Sequence, residues 1–225
     1  MKFQKLQIAR QKKEIIMARL NSYFWDFIAK KYARDPIIDQ QAYQRKLELT
    51  RRYMHPNMRV LELGCGTGTI AIAHAPFVKQ IDAIDVSSNM LVIAKEKSIA
   101  SNINNITFTQ AKMEDMQIDP ETYDMVMAHS ILHLLDDKDA AIAHIFKMLK
   151  PEGIFVSSTA CIDNHWALKF FLPIGTALGL LPLVRFFSPE ELLSSISDAK
   201  FAILQQWQPE KNKAMFIIAK KGEIK

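Results

Sequence analysis

Glycine is scarce in this chain. It occurs seven times in 225 residues, where an average usage of about 7% would give roughly 16. Collagen-like and glycine-rich linker compositions are thereby excluded. Cysteine is scarcer still. Cys65 and Cys161 stand alone, so there is no disulfide framework and no CxxC metal pair. That usage fits a reducing, cytoplasmic compartment. Long hydrophobic runs are also missing. The longest, Phe170–Val184, is broken by Pro173, Gly175, Gly179 and Pro182. It is shorter than the roughly 18 residues of a membrane-spanning helix and reads as non-spanning. The basic start MKFQKLQIARQKK has no apolar segment of the kind a cleaved signal peptide carries.

What is present describes one folded domain. An apolar share of 49% and a charged share of 24% suit a globular chain with a full core. The formal charge of +5 hides an asymmetry. Residues 1–60 hold 14 bases and five acids, a balance of +9, and the remainder holds 15 bases and 19 acids, a balance of −4. A basic arm of this kind is either a solvated helix face or a surface for an anionic partner, such as a membrane or nucleic acid.

The first 55 residues read as helical. Ile16, Leu20, Tyr23, Phe24, Phe27 and Ile28 recur at steps of three and four and make one apolar stripe. Pro36 breaks that helix. Tyr43, Leu47 and Met54 suggest a second one, ending before Pro56. From Met58 onward strands alternate with helices. Strands are expected at Val60–Leu63, Gln80–Asp85, Ile106–Thr109, Tyr123–Ala128 and Ile154–Thr159. Helices are expected at Thr69–Ala75, from Ser87 or Ser88 to Ala100, and from an Asp136 cap to Leu149, followed by a turn at Lys150–Gly153. Ser188-Pro189-Glu190-Glu191 is a capping box that opens a helix to Asp198. Phe201–Trp207 and Ala214–Lys220 then read as an antiparallel hairpin. Alternation of this kind predicts a mostly parallel sheet covered on both faces, with right-handed crossovers.

Three of the seven glycines, Gly64, Gly66 and Gly68, fall within five residues, directly after the first strand. Ligands of open α/β sheets bind at the carboxyl ends of the strands. A dinucleotide fingerprint would place its third glycine at position 69, which is Thr69. The pattern is ExGxGxG, which argues against NAD. Glycines let a backbone approach a ligand closely, and the helix start behind them is electropositive. Asp85 ends the second strand 17 residues after Gly68. A carboxylate there can accept hydrogen bonds from both hydroxyls of a ribose. The competing role for Asp85 is a helix cap ahead of Ser87.

The runs VLELGCGTGTIAIAHA, IDAIDVSSNMLVIAKEK, ITFTQAKMEDM, YDMVMAHSILHLL and LKPEGIFVSST appear in this order over roughly residues 58–160. Together they resemble the class I S-adenosylmethionine-dependent methyltransferases. The resemblance implies a Rossmann-like, doubly wound, seven-stranded sheet, mostly parallel with the last strand antiparallel. It implies residues 1–57 as an N-terminal helical cap, 58–225 as the cofactor domain, and an insert at 163–187 as a substrate lid. It implies S-adenosylmethionine as cofactor, with S-adenosylhomocysteine as product. Gly64, Gly66 and the backbone at Cys65 would pass under the methionine and ribose parts, and Glu62 would stand near the amino group. Asp85 would hold the ribose, and Val86 and Met90 would line the adenine pocket. Met113 and Glu114 follow the third strand, where the family contacts adenine. Lys112 stands where many relatives have aspartate. His129 lies where the backbone often meets the methionyl amine.

A methyl on a sulfonium is already activated, so alignment and desolvation supply much of the acceleration. A base is needed only where the acceptor must lose a proton. His129 and His133 are the candidates, four residues apart and one turn apart if helical. Their competing roles are packing under the sheet edge for His133 and a backbone contact for His129. No metal-ligand cluster is apparent in the sequence. Ala128-His129-Ser130-Ile131 lacks the Asn/Asp-Pro-Pro-aromatic motif of enzymes that methylate base amines in DNA. The expected acceptor is a small, apolar or aromatic molecule, in keeping with an insert rich in Trp166, Phe170, Phe171 and Leu172. That insert could equally complete the core, form a homodimer contact or touch a membrane surface peripherally. Tyr32 and Tyr43 could reach the cofactor from the N-terminal helices. Two other functions stay open: a cofactor-binding regulatory protein without turnover, and an RNA methyltransferase using the basic arm.

Overall fold

The computed structural model describes residues 22–116, 119–161, 175–176, 181–210 and 213–222. Helix α1 covers 22–34 and stops ahead of Pro36, because the residue before a proline is pushed out of the helical region. Helix α2, Gln40–Arg51, is capped by Asp39, whose carboxylate accepts the Ala42 N–H at 2.9 Å. Strand β1 (Arg59–Leu63) leads through the glycine turn into α3 (Thr69–His74) and β2 (Gln80–Asp85). Helix α4 (Ser88–Ala100) starts on Ser87, which caps the Met90 N–H at 3.1 Å. Then come β3 (Ile106–Gln110), β4 (Tyr123–His129), α5 (Lys138–Met148) and β5 (Leu149–Thr159). The capping box of Ser188 and Glu191 is present and opens α6 (Pro189–Asp198). Strands β6 (Phe201–Trp207) and β7 (Met215–Lys221) follow.

The seven strands form one sheet in the order β3-β2-β1-β4-β5-β7-β6. All pairs are parallel except those of β7, which runs antiparallel to β5 and to β6. The doubly wound expectation is met. The chain leaves β1 toward β2 and β3, then returns to β4 on the other side, so the strand order reverses between β1 and β4. A crevice opens at such a switch point.

Alternation along the strands splits the core in two. Leu61, Leu63, Val126, Ala128 and Phe155 face α5 and α6. Val60, Met125, Met127, Val156 and Phe216 face α3 and α4. The same alternation turns Glu62 and His129 toward the α3 side.

Four local expectations differ from the structure. The cap of α5 is Asp137, whose carboxylate accepts from Asp139 N at 3.0 Å and Ala140 N at 2.9 Å. Asp136 instead pairs with Arg185 at 2.9 Å. Strand β5 begins at Leu149 rather than Ile154. Lys150–Gly153 is an irregularity inside the strand, between the pairs Tyr123–Leu149 and Met125–Ile154, with Glu152 at φ 64°. The apolar stripe of the first helix is not a buried unit. Tyr23 is 68% and Phe27 88% exposed, while Ala29 is buried. Ile16 and Leu20 lie outside the described residues, as does most of the 163–187 insert. No helix among the described residues is long and apolar enough to cross a membrane.

Gly68 closes the glycine turn, its N–H donating to Cys65 O at 2.9 Å, and holds φ at 72°. A Cβ there would stand 2.9 Å from Ala94 Cβ on α4. Gly68→Ala therefore combines left-handed strain with an overpacked contact. It is expected to lower unfolding free energy by about 2–4 kcal/mol, read from urea denaturation.

Candidate active site

The glycine turn follows β1 at the switch point. Cys65 N–H donates to Ile84 O at 2.9 Å and ties the turn to the end of β2. Gly64 and Gly66 hold φ at 64° and 52°. A Cβ on Gly66 would meet only the Tyr32 ring, at 3.9 Å, so the backbone there lies bare toward the cleft, whereas a Cβ on Gly64 would stand 2.8 Å from Ile131 Cδ1. Helix α3 behind it is only six residues long. The turn's N–H groups and the carboxylate they meet matter more here than a helix dipole.

That carboxylate is Asp85. Its Oδ2 accepts Gly66 N–H at 2.8 Å and its Oδ1 accepts Ser87 N–H at 2.9 Å. Burial pushes its pKa up, backbone donors from Ser87, Gly66 and Val86 pull the other way, and the charge of Asp26 pushes it up again. Each oxygen keeps lone-pair capacity for a ligand hydroxyl. The cap and ribose roles therefore coexist, since Asp85 organises its own turn and still faces the cleft.

The cleft has a volume of about 1450 Å3. Single small-molecule sites run to about 300–1000 Å3, so there is room for two ligands together. Gly64, Gly66, Asp85, Val86, Met90, Met113, Glu114, His129 and His133 all line it. Val86 is positioned by Gln110, whose Nε2 donates to Val86 O at 3.0 Å. Met113 and Glu114 sit on a 3-10 turn, Met113–Asp115.

Three sequence candidates, Cys65, Glu62 and Tyr43, do not line the cleft. Cys65 is buried, and its burial drives the thiol pKa upward. Glu62 is 2% exposed. Burial, then the charge of Asp85, raises its pKa to about 8, against a backbone hydrogen bond at Ala71 that lowers it. Its Oε2 has no hydrogen-bond partner among the described residues. Tyr32 lines the cleft and Tyr43 does not.

His129 and His133 do not share a helical turn. Ser130, at φ 56°, breaks the chain out of β4, with its N–H donating to Ser158 O at 2.7 Å. His133 then lies in a 3-10 turn, Leu132–Leu134. Burial lowers the His133 pKa to about 4, and its Nδ1 is buried without a partner among the described residues. Burial, His74 and Lys46 together lower His129 to about 3. Lys46 donates to Ser158 Oγ at 2.9 Å. Both histidines are neutral at pH 7.

The sequence reading had missed Trp25 and Arg185 as lining residues, and Lys46 and His74 behind His129. Alternation would have placed Glu62 and His129 on one face of the sheet. Nothing local marks the residues of α2 and α3 that meet them there.

A methyltransferase-domain family matches residues 54–222, and the chain belongs to it. Among its curated relatives is the malonyl-[acyl-carrier protein] O-methyltransferase of Bacillus anthracis, 33% identical over 49% of this chain and 41% of that protein. The Priestia megaterium protein of that name is 28% identical over 80% of this chain and 65% of its own length. The match thus spans less than half of the first of these relatives. Among solved structures, YcgJ of Bacillus subtilis superposes with a TM-score of 0.66 at 19% identity, covering 80% of this chain and 99% of that one. A Haloferax volcanii methyltransferase, solved with its Trm112 activator, reaches 0.73 at 13% identity, covering 91% and 99%. At these identities the structures share the fold.

Proposed function

We propose that the chain binds S-adenosylmethionine and transfers its methyl to a small, largely apolar acceptor. The observation that carries this reading is Asp85, buried at the end of β2, organised by Gly66 and Ser87 N–H groups and facing a cleft over bare glycine backbone. Those residues fit the cofactor. Gly66 leaves room for it, Asp85 accepts from its ribose, and Val86, Met90 and Met113 wall its base. The unpartnered Glu62 Oε2 suits the neighbourhood of its ammonium group. When bound, the cofactor supplies a methyl already activated on a sulfonium.

The rest of the cleft receives the acceptor. Trp25, Ile131, Leu134, Leu181 and Leu183 give it an apolar lining, and His133 brings a neutral imidazole. Where that imidazole lines the cleft it can take a proton from an acceptor hydroxyl or amine as the methyl arrives. The supporting experiment pairs calorimetry with a transfer assay, using labelled cofactor against fractionated small-molecule extract. Micromolar binding and a labelled apolar product are expected. His133→Asn should then lower kcat by about 100-fold or more with little change in cofactor affinity. A folded pKa near 4 leaves His133 unprotonated from pH 6 to 8, so its contribution stays flat there and is lost only in acid. Absence of cofactor binding sinks the whole reading. Binding without transfer to any fraction would leave a cofactor-binding protein without turnover.

A further inference from the structure

Helix α1 is fastened to the start of α4, far away in sequence, through Asp26. Asp26 Oδ1 accepts the Asn89 N–H at 2.9 Å and the Ser87 hydroxyl at 2.6 Å. The Asp26 backbone carbonyl accepts Asn89 Nδ2 at 3.1 Å. Ser87 and Asn89 form the start of α4, where the first N–H groups have no partner inside the helix. Ser87 caps Met90 from within the segment. Asp26 caps Asn89 from a different element, and its negative charge suits a helix N-terminus.

The same contacts run on into the ligand site. Ser87 donates its hydroxyl to Asp26 and its N–H to Asp85. The α1 fastening and the ribose carboxylate are therefore joined through a single residue. Trp25, adjacent to Asp26, and Tyr32, two turns further along, both line the cleft, and Tyr32 stands over Gly66. Between α1 and α2 the chain runs through Asp35–Asp39 with Pro36. Lifting α1 would uncover the glycine turn, and the Asn89 N–H it releases would meet water instead of being left buried.

We propose that α1 is the gate of the cofactor site and that Asp26 is its latch, a positioning residue that sets how long a bound nucleoside stays. This rests on the S-adenosylmethionine reading above. The latch acts through α1, so it governs opening rather than the ligand's own hydrogen bonds.

The test uses the full chain with S-adenosylhomocysteine as the probe. Stopped-flow binding gives association and dissociation rates, and hydrogen exchange follows individual amides. Asp26→Ala should raise the dissociation rate about tenfold or more, roughly the worth of one hydrogen bond to a charged group. The association rate should not fall. The Asn89 amide should exchange faster in the bound state while β1 and β4 amides keep their protection. Asp26→Asn keeps an accepting oxygen and should fall in between. A dissociation rate within about twofold of the unaltered chain, with Asn89 exchanging fast, overturns the gate alone. So does loss of protection in β1 and β4, which would make Asp26 a support of the whole fold. If the unaltered chain fails to bind the probe, the cofactor reading falls and takes the gate with it.

Discussion

Replacing Asp85 by alanine is expected to lower the affinity for S-adenosylmethionine by at least about 100-fold, measured by calorimetry at neutral pH. The side chain has two jobs, and alanine removes both. It accepts Gly66 N–H at 2.8 Å and Ser87 N–H at 2.9 Å, which hold the glycine turn and the start of α4 in register. It also offers its remaining lone pairs to the ribose. Hydrogen bonds to a charged group are worth about 1.5–3 kcal/mol each. Losing two of them to the ligand costs about 3 kcal/mol or more, which is a factor above 100. Asparagine should not rescue. One of its two terminal atoms is an NH2 group, and either placement turns that donor toward a backbone N–H of Gly66 or Ser87. Asn at 85 is thus expected to bind nearly as poorly as Ala. A loss of only a few-fold in either variant would mean that Asp85 shapes its turn and nothing more.

The sheet and the cofactor end of the site were legible in the sequence because their signals are local. A strand followed by three clustered glycines, then a strand ending in Asp85, sits within 27 residues. The backbone requirement at Gly68 shows directly in residue type. The α5 cap was placed one residue early because Asp136 and Asp137 both have the right chemistry. Which one caps depends on where the chain leaves the Leu132–Leu134 turn, and Arg185, far along the chain, takes the other. The stripe on α1 misled for a related reason. Periodicity finds an apolar face, but the docking of this helix is set by Asp26, whose partners on α4 lie 61 and 63 residues away. Those contacts place Trp25 and Tyr32 at the cleft and leave Tyr23 and Phe27 outward. A polar residue amid an apolar stripe was the one available signal.

Glu62 gives the second large effect, in the pH dependence of stability. Its carboxyl is pushed up to about 8 from an ordinary 4.5 by burial, reinforced by Asp85. Among the described residues, the other titratable groups that bear on it are Cys65 in the turn, Tyr32 on α1 and Tyr43 on α2, none of them basic. Between pH 4.5 and 8 the folded chain therefore keeps a proton here that the unfolded chain has released. The stability Glu62 contributes is fully present below its unfolded pKa and is lost as pH rises through its folded one. The slope is about 1.4 kcal/mol per pH unit at most. Glu62→Gln is neutral throughout and lacks that slope. Urea midpoints at pH 5, 6.5 and 8 should thus show the unaltered chain losing stability relative to the glutamine variant as pH rises. Saturating S-adenosylmethionine should shrink the difference, because an ammonium beside Glu62 favours its ionised form. Parallel pH curves for the two proteins would show that Glu62 already meets a positive partner in the free protein. The unpartnered Oε2 would then have no part in receiving the cofactor.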